Sequence, residues 1–207
     1  QKTFKIKISR KNYLNNKNFH SALINAKNKN PRLFGAFYDT LQNASVIYKT
    51  LSSDKILSYL GCLLKSKKEN FVLSNIGIRM DLPKDTKHRY GWHQDRSYYH
   101  QNMDGNKGIV CWFPVMNIFD ELGYLQVKKG SHKLGYFKVK MTKKSRNYSP
   151  QYLIPEKILK KFDTSVVKTK CKDLIIFSMN LFHASGVNKS KLIRFACQGR
   201  YNDFTES

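Results

Sequence analysis

The chain has 207 residues, 41% of them hydrophobic and 13% aromatic, the composition of one folded domain with a sizeable core, which excludes a disordered or fibrous chain. No run approaches the ~18 apolar residues of a membrane span; residues 1–10 lack the apolar centre of a secretory signal, and the absence of an initial Met leaves room for residues upstream. The net charge of +24 would suit nucleic acid, but the lysines are dispersed among many Asn, Ile and Tyr, the bias of an AT-rich coding sequence, so the charge is read instead as a field drawing small anions toward a basic cleft.

In chain order, residues 2–8 alternate Phe4, Ile6 and Ile8 with Lys5 and Lys7, which predicts a strand with one wet face. Residues 18–68 read as helical support. Pro31 opens a segment with Leu33, Phe34, Phe37, Leu41 and Ala44 at helical spacing. Ser52-Ser53-Asp54 then offers an N-cap before Ile56, Leu57, Leu60 and Leu64, and Lys65 to Lys68 suit the C-terminal end. From residue 71 to 203 the pattern changes to short apolar runs, at 71–80, 109–113, 124–127, 174–182 and 192–198, separated by turn residues. That spacing predicts a β-sandwich or barrel. Residues 141–165, with Pro150, Pro155 and a short helix near 155–162, read as an insertion of the lid or binding-loop kind. The whole chain, 1–207, reads as a single domain. The four cysteines, Cys62, Cys111, Cys171 and Cys197, form no C-x-x-C pair and read as buried free thiols in a reducing cytoplasm.

The run Tyr90-Gly-Trp-His93-Gln-Asp95 carries the chemistry. On extended backbone, residues i and i+2 share a face, so the His93 imidazole and the Asp95 carboxylate converge. One more histidine would complete a two-His, one-carboxylate set, which leaves open positions on a non-haem Fe(II). Of the six histidines, His20 and His88 lie among polar neighbours and read as surface residues. His100 sits in a polar, aromatic loop over 96–107 that suits the mouth of a site. His183 ends the apolar run at 174–182 and is the candidate third ligand, although a histidine there is more often a satisfied core residue. Eleven residues on, Arg194 interrupts an apolar strand. A buried guanidinium needs an anion, either a distant acidic residue or a dicarboxylate gripped by two parallel hydrogen bonds.

Several stretches fall in one recognisable order: Arg79-Met-Asp-Leu-Pro83, Trp92-His-Gln-Asp95, Val110-Cys-Trp-Phe-Pro114, Glu121-Leu-Gly-Tyr-Leu-Gln-Val-Lys-Lys-Gly-Ser-His132, His183-Ala-Ser-Gly-Val-Asn188 and Arg194. With them the chain resembles the phytanoyl-CoA dioxygenase family, from the helical segment before Pro83 to the last strand. The resemblance implies a mainly β (α+β) fold: a double-stranded β-helix, the cupin-like jelly roll, with N-terminal flanking helices. It implies Fe(II) held by His93, Asp95 and His183, with 2-oxoglutarate and O2 as co-substrates. Arg194 and Ser185 would bind the distal carboxylate of 2-oxoglutarate, and Arg79 and Trp112 would line its pocket. The Gly-Ser-His turn that ends at His132 reads as structural.

The activity expected from the resemblance is oxidation of a small metabolite or carrier-linked molecule, with release of succinate and CO2. Keeping Asp95 favours hydroxylation or desaturation over halogenation. Gln94, Tyr98, Tyr99 and Gln126 are candidates to orient the substrate. Two other readings stay open: a catalytically silent family member acting as a binding module, and an oxygenase acting on a polyanionic macromolecule, although no helix-turn-helix or RNA-binding pattern supports nucleic acid.

Overall fold

The structure is a computed structural model that describes residues 14, 16–99, 108–144 and 149–205. The strand expected over residues 2–8, and His100, lie outside the described residues.

Four helices lead the described chain: α1 (Lys17–Lys29), α2 (Pro31–Gln42), α3 (Ser45–Leu51) and α4 (Asp54–Leu64). Their ends follow local chemistry. Asn16 caps α1 by accepting from the Asn18 amide, and Asn30 caps α2 by accepting from Leu33, with Pro31 in the first turn where its missing N–H is harmless. Ser53 holds the N-cap position of α4 without a capping hydrogen bond, and Lys65 ends that helix at a positive φ of 53°. Ala44 precedes α3 and is not part of α2.

Among the described residues seven strands form two antiparallel sheets. The larger joins β1 (Phe71–Asp81), β2 (Ile109–Pro114), β5 (Ile175–Ser178) and β7 (Arg194–Asp203) in the order β1-β7-β2-β5. The smaller joins β3 (Leu125–Lys128), β4 (Thr164–Val167) and β6 (His183–Ser185) in the order β4-β3-β6. His93 and His183 exchange two backbone hydrogen bonds of 3.0 Å, which extends the smaller sheet beyond β6. This is the jelly roll with N-terminal helices. A short helix, α5 (Glu156–Leu159), falls within the expected 155–162 segment. No helix among the described residues is long and apolar enough to cross a membrane.

The strand faces divide the labour. On β7, Phe195 packs in a core with Leu23, Ala26 and Phe34 of α1 and α2, while Tyr201 packs with Ile47 and Leu51 of α3 and Ile56 and Leu60 of α4. Period two then sends Arg194, Gln198 and Arg200 the other way, into the space between the sheets.

Three sequence expectations need correction. His20 is not a surface residue: it is fully buried on the Leu23 side of α1, and its ring bridges the Leu14 carbonyl (2.7 Å) and the Ile193 amide (2.9 Å). Its sequence neighbours are polar because they lie on other faces of the helix. The 174–182 run is not one strand. It feeds β5 in one sheet and, after a turn, β6 in the other, the strand switch a jelly roll requires, while β4 emerges at the end of the expected insertion. Burial of all four thiols fails at Cys62, which is exposed, and at Cys171, which is half-exposed; Cys111 and Cys197 are buried.

Candidate metal centre

His93, Asp95 and His183 come together. All three are buried, and their ligand atoms lie within 4.8 Å of one another. Asp95 Oδ1 is 3.3 Å from His93 Nε2 and 3.6 Å from His183 Nε2. For bonds of about 2.1 Å, neighbouring ligand atoms on a metal sit roughly 3 Å apart, so the two carboxylate–imidazole spacings need only a small contraction. The backbone explains the convergence. Gln94 is extended, which brings His93 and Asp95 to one side, and Asp95 opens a short 3-10 turn. His183 is delivered by its backbone bridge to His93.

Each imidazole is oriented by its far nitrogen. His93 Nδ1 donates to Gly91 O at 2.7 Å, and His183 Nδ1 donates to Leu181 O at 3.0 Å. Both Nε2 atoms therefore face the shared point, the orientation a metal requires. Burial, with the neighbouring His93 ring, pushes His183 down to about 4, so this imidazole is neutral at pH 7. Burial alone would raise the Asp95 carboxyl, but the Arg200 guanidinium and the His93 contact outweigh it and hold the group ionised, well below the usual carboxylate range. Two imidazole nitrogens and one carboxylate, with one face open to a cavity, fit a divalent metal that keeps exchangeable positions.

That cavity, of about 90 Å³, lies between the sheets. Arg79, Trp112, Tyr98, Tyr99, Ser185 and Arg194 all line it. Tyr98 stacks edge-on against His93 at 5.7 Å and accepts a hydrogen bond from the Tyr152 amide. Burial pushes its phenol up to about 12. Tyr99 donates to Asn75 and lies under the Arg200 guanidinium at 4.8 Å.

Gln94 and Gln126 do not face the cavity. Gln94 is fully buried; its amide donates to Gly135 O and Asn180 O, and its carbonyl accepts from the Phe137 amide. It is a clamp between chain segments. On β3 it is Leu125 that turns inward, so alternation points Gln126 the other way.

Arg194 is 3% exposed and turned inward, but it is not a lone guanidinium. Register places it opposite Asp81 on β1, and Asp81 Oδ2 accepts from its Nε (3.1 Å) and Nη2 (2.8 Å). Its Nη1 faces the carbonyls of Leu122, Gly123 and Gly186. Those carbonyls converge because Gly123 and Gly186 pack backbone on backbone: Gly123 has φ +77°, and a Cβ on Gly186 would come within 2.5 Å of Tyr124 O. Asp81 Oδ1 also accepts from Arg79 Nη2 at 2.8 Å, and Arg79 lies over the Tyr90 ring at 4.8 Å. Burial would raise Asp81, yet the two arginines hold its pKa below the ordinary value.

Sequence reasoning gave no role to Arg200, Asp81, Tyr90, Leu125 or Phe177. Arg200 Nε donates to Asp95 Oδ2 at 2.8 Å, leaving Oδ1 to face the two imidazoles. A signal for Arg200 existed: counting by two from Arg194 reaches it. The same count from Arg79 reaches Asp81. Tyr90, Leu125 and Phe177 carried no such mark.

The sequence model of the phytanoyl-CoA dioxygenase family matches residues 16–196. Among solved structures, EctD from S. alaskensis with 2-oxoglutarate and 5-hydroxyectoine superposes with a TM-score of 0.62 at 17% identity, over 80% of this chain and 55% of that one. The non-heme alpha ketoglutarate dependent epimerase SnoN from nogalamycin biosynthesis gives 0.58 at 15%, over 77% and 57%. AviO1 from Streptomyces viridochromogenes Tue57 gives 0.53 at 16%, over 74% and 59%. At these identities the likeness is one of fold, and the chain spans a little over half the length of these solved proteins. No curated protein matches the chain.

Proposed function

This chain belongs to the phytanoyl-CoA dioxygenase family, and on that premise we propose that it is an Fe(II)- and 2-oxoglutarate-dependent oxygenase that hydroxylates a small molecule. The observation that carries the proposal is the meeting of His93, Asp95 and His183 at one buried point, with both imidazole Nδ1 atoms engaged elsewhere. When bound, iron with 2-oxoglutarate supplies oxygen activation coupled to the release of succinate and CO2.

The protein's own part is positional and electrostatic. His93, Asp95 and His183 would hold the metal. Arg200 fixes which oxygen of Asp95 points at it. Arg194, Ser185 and Arg79 form the anion-binding end of the cavity for the distal carboxylate of 2-oxoglutarate. Tyr98, Tyr99 and Trp112 wall the space between and limit water. Three guanidiniums, on Arg79, Arg194 and Arg200, face two carboxylates, on Asp81 and Asp95, so the cavity favours an anionic co-substrate and an anionic small-molecule substrate. SnoN is an epimerase and EctD is crystallised with 2-oxoglutarate and 5-hydroxyectoine, so the reaction type must be read from the product itself. We place the reaction in a reducing cytoplasm, where free thiols such as Cys111 and Cys197 persist.

The test is succinate formation from 2-oxoglutarate by the Fe(II)-loaded protein with a panel of small anionic substrates, the product being weighed. Gain of one oxygen is expected; an unchanged mass would identify epimerisation. His93→Ala and Asp95→Ala are expected to lose iron and turnover together. Full iron content and full turnover in both variants would refute the assignment.

A further inference from the structure

Asp81 has no place in the chemistry just described, yet it sits at the centre of the anion-binding end. The β1–β7 register sets Asp81 directly opposite Arg194. Its carboxylate takes the Nε/Nη2 edge of Arg194 with one oxygen and Nη2 of Arg79 with the other. The remaining side of Arg194 faces the carbonyls of Leu122, Gly123 and Gly186. A guanidinium grips an incoming carboxylate best through two parallel N–H donors on one edge. On Arg194 that edge already holds a carboxylate belonging to the chain.

We propose that Asp81 is a resident counter-carboxylate that competes with the distal carboxylate of the co-substrate for the Arg194–Arg79 edge, and so sets how tightly and how selectively the site takes a dicarboxylate. The proposal rests on the 2-oxoglutarate reading given above. An incoming carboxylate either displaces Asp81 or shares the two guanidiniums with it, and both routes weaken binding relative to a neutral residue at position 81. The opposite role, in which Asp81 merely orients Arg194 for the co-substrate, predicts the opposite sign: its neutralisation would weaken binding.

The experiment compares wild type with Asp81→Asn, each loaded with Mn(II), by calorimetric titration with 2-oxoglutarate and, separately, with 2-oxobutyrate, which lacks the distal carboxylate. The expected result is tighter binding of 2-oxoglutarate to the variant by about tenfold, as removing a like charge within contact distance predicts, with no change for 2-oxobutyrate. Unchanged or weaker 2-oxoglutarate binding in the variant, with normal binding in wild type, overturns the role of Asp81 and leaves the oxygenase reading standing. Absence of 2-oxoglutarate binding in both metal-loaded proteins would remove the oxygenase reading, and this one with it. Binding by the variant alone would be the strongest support. If Asp81→Asn does not fold, a structure of the wild-type 2-oxoglutarate complex decides: Asp81 must have left, or come to share, the Nε/Nη2 edge of Arg194, and an unaltered pair rejects the proposal.

Discussion

The two ends of the cavity are built from the same parts in opposite roles. At the candidate metal end a buried carboxylate, Asp95, faces the two imidazoles and Arg200 backs it. At the other end, the proposed anion-binding end, a buried guanidinium, Arg194, faces the cavity and Asp81 occupies it. A carboxylate–guanidinium pair therefore has no fixed meaning; what matters is which partner still has a free edge facing the cavity. Asp95 keeps Oδ1 toward the imidazoles, whereas Arg194 has its forked edge filled.

The sharpest way to break this comparison is to remove the supporting partner at the metal end. Arg200→Met leaves Asp95 buried without its guanidinium, and stability should fall by about 3–5 kcal/mol, measured by urea unfolding of the metal-free protein. Iron affinity should drop about 10–100-fold, with partial recovery in Arg200→Lys. If Arg200 were only core filling, iron affinity would not follow the charge.

The same operation at the other end should cost less. In Arg194→Met, Asp81 keeps Arg79 as a partner, so the stability loss is expected to be about 2–3 kcal/mol. The iron content should stay near normal while 2-oxoglutarate binding weakens about tenfold or more. Loss of iron in this variant would mean that the two ends are not separable.

Gln94→Ala tests a residue next to both ligands in sequence but turned away from them. Three hydrogen bonds disappear, and stability should fall by about 2 kcal/mol without any change in the KM for substrate at temperatures where the protein stays folded. A selective KM effect would return Gln94 to the substrate site.

The smallest effect belongs to a pair outside the metal centre. Burial works against the Asp85 charge, but Lys27 and His88 outweigh it and bring this carboxyl down to about 2 from 3.8. A depressed carboxyl contributes stability that is complete above pH 3.8 and is lost as the pH falls through about 2. Lys27→Met should flatten acid unfolding in that window by less than about 1 kcal/mol, because the pair is partly solvated.

These contrasts also explain what could be read in the chain. The His-x-Asp pair was legible because two residues on extended backbone are a local matter, and His183 was legible because it closes an apolar run. The helices α2 and α4 declared themselves by apolar spacing and by Pro31 and Ser53 at their starts, whereas the short α3 between them did not. Asp81 as the partner of Arg194 was not legible: the two are 113 residues apart, and only strand register joins them. Gln94 and Gln126 turn away from the cavity, which the sequence did not show, because polarity says nothing of which way a side chain turns. His20 was misread for a related reason, since neighbours in sequence are not neighbours around a helix. The break after β5 was hidden because apolar residues continue through a turn when both strands it joins are buried.

The two backbone bonds between His93 and His183 carry one more consequence. Because two of the three donors hang from main chains locked side by side, their separation is a property of the sheet and not of the ion. Such a cradle is placed by strand pairing before any cation arrives, so loading would ask for a small adjustment of side chains and not for refolding of the chain around it.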